Sequence, residues 1–123
     1  MTGITIWMAL FFLLLGPARS HLQGVTIVEI GDIQTARSLS AIVTDVGEFP
    51  MEGVLVEEMT PGWKTCLRTT KTDSKGRFAL VRVKARDVYY FQLTYKNFNA
   101  LQVRMRIDPK RGTDIRLKMT PST

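Results

Sequence analysis

From Leu39 onward, apolar and polar side chains alternate with a period of two, the repeat of strands that turn one face to a dry interior and the other to water. Leu39, Ala41 and Val43 alternate with Ser40 and Thr44, and Val54 and Val56 resume the pattern after a turn over 45–50. Residues 65–72 form a run rich in β-branched side chains. Phe78 and Leu80 oppose Arg77 and Ala79, with Val83 closing that strand. Tyr89, Phe91, Leu93 and Tyr95 make the strongest aromatic row and are predicted to share the core. Leu101, Val103, Met105 and Ile107 alternate with Gln102, Arg104 and Arg106; Ile115, Leu117 and Met119 alternate with Arg116 and Lys118. Turn residues separate these runs at Thr60-Pro61-Gly62-Trp63, Asp73-Ser74-Lys75-Gly76, 97–99 and 108–112. Helical spacing is absent. Seven strands at this spacing predict an all-β antiparallel sandwich or barrel, and residues 25–30 either add an eighth strand or only lead in.

The first twenty residues follow another rule. Residues 4–15 are nearly all apolar and are followed by Gly16 and Pro17. About twelve apolar residues are too few for a helix to cross a hydrocarbon core, which takes roughly twenty. Ala18 and Ser20 put small residues at the −3 and −1 positions of a cleavage site. Residues 1–20 therefore read as an export signal cut before His21, leaving a lead-in over 21–36, a domain over 37–120 and a tail over 121–123 that is expected to fray. An uncleaved N-terminal anchor is the alternative, because the segment before the apolar run has no Lys or Arg. Cleavage removes Arg19 and no acid, leaving 16 Lys plus Arg against 11 Asp plus Glu, a net +5 from the full chain's +6. The predicted home is the periplasm or the outside of the cell. A basic excess of this size gives general attraction to anionic polysaccharide, lipid headgroups or nucleic acid without specificity.

Three ordered motifs give the chain a family likeness. The first is Val43-Thr44-Asp45, then Gly47, Pro50, Gly53 and Val54; the second is Thr70, Thr72, Asp73, Gly76, Phe78 and Leu80; the third is Tyr89 and Leu93 with Asn97-Phe98. On these residues the segment 39–119 resembles the carboxypeptidase regulatory-like domain family, including small exported single-domain bacterial proteins such as those of soil acidobacteria. The resemblance implies a transthyretin-like Greek-key β-sandwich that serves as an accessory or structural module without activity of its own. Ala41 stands where the family usually has glycine, and Asn97 replaces the glycine before the aromatic residue.

Catalytic and metal chemistry finds little material. The chain has one His and one Cys, whereas a zinc peptidase centre needs several nitrogen, sulfur or carboxylate ligands. His21, the expected new N-terminus, lacks the second histidine of a copper-binding histidine brace. Cys66 has no histidine to activate it and cannot form an internal disulfide; it reads as a small buried hydrophobe or as a thiol that pairs between chains. Glu57 and Glu58 are adjacent in a predicted strand and so point to opposite faces. The Asp73 turn lacks the alternating oxygen ligands of a calcium loop, and no glycine-rich phosphate loop occurs. No catalytic residue, metal or cofactor is therefore assigned.

Two surface features remain as candidates. Arg104 and Arg106 share a strand face, as do Arg116 and Lys118, with Lys110 and Arg111 in the turn between. They read as a solvated basic face or as a site for an anionic glycan or an envelope protein, with no specific nucleic acid and no membrane span after cleavage. Trp63, with Lys64 beside it and an outward Tyr90, either stacks on sugar rings and protein partners or folds down to cap the interior. Self-association into a homodimer through a free sheet edge is the runner-up to ligand binding.

Overall fold

The structure is a computed structural model that describes residues 25–123. The expected export signal and His21 lie outside those residues. Among the described residues eight strands follow one another without a helix: β1 (Ile27–Glu29), β2 (Gln34–Thr44), β3 (Leu55–Met59), β4 (Cys66–Lys71), β5 (Arg77–Ala79), β6 (Val88–Thr94), β7 (Ala100–Ile107) and β8 (Thr113–Lys118). Hydrogen bonds join them in the order β4-β3-β6-β7-β2-β5, with β1 beside β7 and β8 beside β2. The sheet curls strongly around one interior.

The all-β expectation is met, but pairing is mixed rather than antiparallel. β2 runs parallel to β7 over Gln34–Ala36 and then parallel to β8 over Ala41–Thr44, and β1 is parallel to β7. Adjacent parallel strands usually need a long crossover. Here β7 and β8 follow each other along successive halves of the eleven-residue β2, so five residues over 108–112 suffice. The switch occurs at Ala36, which pairs with both Ile107 and Thr113. Beyond it the register shifts before Ala41. The lead-in supplies the eighth strand, and β2 starts three residues before the expected domain boundary.

Two turns with the same construction hold the β2–β3 and β4–β5 connections. In each, an aspartate Oδ1 accepts hydrogen bonds from backbone N–H groups two and four residues on: Asp45 from Gly47 and Phe49, Asp73 from Lys75 and Arg77. These N–H bonds hold the Asp73 carboxyl below the usual range. The fourth residue of each turn is left-handed, Glu48 at φ 64° and Gly76 at φ 73°. At Gly76 nothing larger fits, because a Cβ would lie 2.5 Å from the Val43 carbonyl oxygen.

The first two sequence motifs meet at this place. Val43 N–H donates to Gly76 O at 2.7 Å, Met51 N–H to Val43 O at 2.9 Å, and Gly53 N–H to Thr72 O at 3.0 Å. The buried Thr72 hydroxyl donates to Met51 O at 2.5 Å and accepts from Val54 N–H at 2.9 Å. Replacing Thr72 by valine keeps the shape and strands both backbone groups. The expected loss is about 2 kcal/mol of unfolding free energy, read as a lower urea midpoint with unchanged slope, and Thr72→Ser should restore most of it.

The interior is built by the predicted alternation. Val43, Val54, Val56, Phe91, Leu93, Val103 and Met105 are wholly buried, and Leu39, Ala41, Phe78, Tyr89, Leu101, Ile115, Leu117 and Met119 nearly so. The Tyr89 hydroxyl donates to Val83 O and accepts from Val83 N–H, so Val83 is an anchor for the 80–87 connection rather than the end of a strand. Two expectations fail at the opposite end of β6. Tyr95 is 41% exposed, because β6 stops at Thr94 and the chain has already begun to turn. The tail does not fray: Phe98 bridges Pro121, Ser122 N–H donates to Asn97 O, and Asn99 bonds Thr120 through backbone and side chain.

Candidate functional site

The nine surface residues singled out from the sequence fall into three groups. In the first, Trp63 sits in the β3–β4 loop at φ 54°, its N–H closing a turn onto Thr60 O. Its indole folds back onto β6, donating to Phe91 O at 3.1 Å and meeting Tyr90 edge-to-face at 5.0 Å. Tyr90 lies opposite Arg104 on β7. The Arg104 guanidinium donates to Gly31 O, while Arg106 reaches Asp87 at 3.5 Å. Lys64 is exposed next to Trp63. The second group, Lys110 and Arg111, tops a turn in which both backbone N–H groups donate to Asp108 Oδ1. The third, Arg116 and Lys118, is exposed on β8 beside Ile42 and Thr44. β7 and β8 do not pair with each other, so these cations do not face Arg104 and Arg106 across a ladder.

The adjacent glutamates point apart, as the pleat requires. Glu57 shares a row with Gln92 and Gln102, whose side-chain amides are bonded at 2.8 Å. Burial raises the Cys66 thiol above its ordinary value, and the Glu57 carboxylate, hydrogen-bonded to it, pushes the same way. The thiol stays protonated, the inert rather than the nucleophilic condition of cysteine. Glu58 faces inward opposite Phe91 and is clasped by two cations, Arg68 on β4 at 2.5 Å and Arg86 from the 80–87 connection at 2.7 Å. Its side chain is 1% exposed. Among the described residues no three His, Cys, Asp or Glu side chains gather to hold a metal, and no helix is long and apolar enough to cross a membrane.

A groove of about 660 Å³ opens at the end of the sheet where β3 begins and β6 ends. Lys71, Leu55 and Thr94 form one row across β4, β3 and β6 along it. The Tyr95–Phe98 turn also lines it, closed by Phe98 N–H to Tyr95 O with Asn97 at φ 70° and tied to the tail by Ser122 N–H to Asn97 O. Tyr95 and Phe98 meet edge-to-face at 5.8 Å. Alternation hid this wall by assigning Tyr95 to the core; the turn signal over 97–99 was the clue that the strand ends before it. No family model matches the chain, and the search of curated proteins finds no match.

Proposed function

We propose that the chain is an exported, noncatalytic binding module with a transthyretin-like Greek-key sandwich fold, which engages an anionic glycan of the cell envelope. The three motifs shared with carboxypeptidase regulatory-like domains support the fold, and the apolar leader followed by small residues supports export. One observation carries the binding role: among the described residues exposed Lys and Arg outnumber exposed Asp and Glu, thirteen to seven. Asp45, Asp73 and Asp108 cap turns with their carboxylates, and Glu58 is buried between Arg68 and Arg86. Lys71, Lys96, Lys110, Arg111, Arg116 and Lys118 are exposed. Positive charge thus faces outward where an anionic polymer can meet it, and clefts or rows of one sign concentrate such partners.

The test is retention of the folded protein on immobilised polyuronate, compared with a neutral glycan and with random-sequence DNA. Retention on polyuronate is expected to exceed that on the neutral matrix and to fall with salt. Equal retention on charged and neutral glycans, or a preference for DNA, overturns the reading. Self-association through β4 is the second reading, since that edge strand has a neighbour on one side only. Arg68 and Lys71 on it are the kind of charge that discourages edge pairing.

A further inference from the structure

We infer that the groove between Lys71 and the Tyr95–Phe98 turn is the ligand site, and that it takes an acidic pyranose unit: a sugar ring bearing a carboxylate. This assignment rests on the glycan-binding reading above and narrows it to one place and one chemistry.

The groove's volume falls within the usual range for small-molecule sites, about 300–1,000 Å³. Its apolar part is aromatic and fixed. Phe98 packs against the core cluster and braces Tyr95 edge-on. Gly53, at φ 82°, lies close to the ring: a Cβ there would be 3.8 Å from Tyr95 Cε1. A ring held this way presents area without losing much rotamer freedom on binding, a favourable property for an anchor. Leu55 supplies further apolar floor.

The polar part is cationic and hydroxyl-bearing. Lys71 and Lys96 line the groove, and no Asp or Glu side chain does. Thr26, Thr94, Asn97 and Ser122 add hydroxyl and amide groups. This mixture matches a sugar acid on three counts: C–H faces for the tyrosine ring, hydroxyls for the threonines, serine and amide, and a carboxylate for the ammonium groups. An alkyl chain would leave the hydroxyls without partners, and a neutral sugar would leave the two lysines unused. The Trp63–Tyr90 pair fits the role less well. Its indole N–H is already bonded to Phe91 O.

The assignment is tested by titrating the folded protein with oligogalacturonate and with a neutral galacto-oligosaccharide of equal length. Calorimetry reads the affinity, and amide chemical shifts locate the contact. Tyr95→Ala and Lys71→Gln/Lys96→Gln should each weaken oligogalacturonate binding about tenfold at unchanged melting temperature, with shifts centred on 53–55 and 94–98. Arg116→Gln/Lys118→Gln removes the same charge on β8 and should change affinity less than about twofold. Equal losses from both double variants with none from Tyr95→Ala, or shifts centred on Trp63, overturn the groove assignment while leaving glycan binding intact. Absence of binding to oligogalacturonate by the unsubstituted protein overturns the assignment together with the reading it rests on.

Discussion

Replacing Glu58 by glutamine should lower the unfolding free energy by about 3 kcal/mol, the low end of what removing one member of a buried ion pair costs. The carboxylate is inward-facing and almost wholly covered, and it is the shared counter-ion of Arg68 and Arg86. Glutamine preserves the volume and hydrogen-bonding reach but leaves two guanidinium groups converging without a negative charge. Those groups are 27% and 31% exposed, so water relieves part of the repulsion, which is why the low end applies. Urea unfolding should show a reduced midpoint at constant slope. The 80–87 connection should also lose amide-exchange protection, because Arg86 ties it to β3. A loss below about 1 kcal/mol would mean that the carboxylate behaves as a surface ion pair. The double variant Glu58→Leu/Arg86→Leu should recover part of the loss, since apolar groups of similar volume often replace a buried pair without penalty.

This cluster also shows where reading the sequence stops. The pleat told that Glu57 and Glu58 face apart, and the register confirms it. It could not tell that the inward one is neutralised by Arg68 from the next strand and Arg86 from a loop. Those partners are fixed by strand pairing, which is nonlocal. Tyr95 illustrates the same limit from the other side. Parity carries the row Tyr89, Phe91, Leu93 one step further, but parity holds only while the strand lasts, and the left-handed turn at Asn97 ends it. Local chemistry fared better. Asp73 with Gly76 was legible as a turn because a short acceptor side chain and a residue free to adopt positive φ are needed there whatever the rest of the fold does. The groove was hardest to see. Its walls come from β3, β4, the β6–β7 turn and the tail, and only the topology brings Lys71 and Tyr95 to one opening.

Gly112→Ala is expected to be as damaging as the loss of Glu58, costing about 3 kcal/mol, for a reason that turn chemistry does not supply. Gly112 ends the 108–112 turn and looks like a residue chosen for positive φ, yet it is Glu48, Trp63, Asn97, Gly53, Gly62 and Gly76 that occupy that region. Its role is close approach. A Cβ at position 112 would fall well inside contact distance of the Ala36 carbonyl carbon and oxygen and of Arg37 N, all backbone atoms that cannot swing aside. Ala36 is where β2 leaves β7 and joins β8, and its carbonyl accepts the Asp108 N–H at 2.8 Å. A methyl group there must push β2 away from the turn that hands one parallel partner over to the next. Gly31→Ala supplies the contrast, since nothing lies within 4 Å of a Cβ at that position and its φ is not left-handed. That change should be neutral or stabilise by up to about 1 kcal/mol, through a less flexible unfolded chain. The melting temperature should therefore fall in Gly112→Ala and hold or rise in Gly31→Ala. A Gly112→Ala protein as stable as the parent would show that β2 and the 108–112 turn are farther apart than this fold requires.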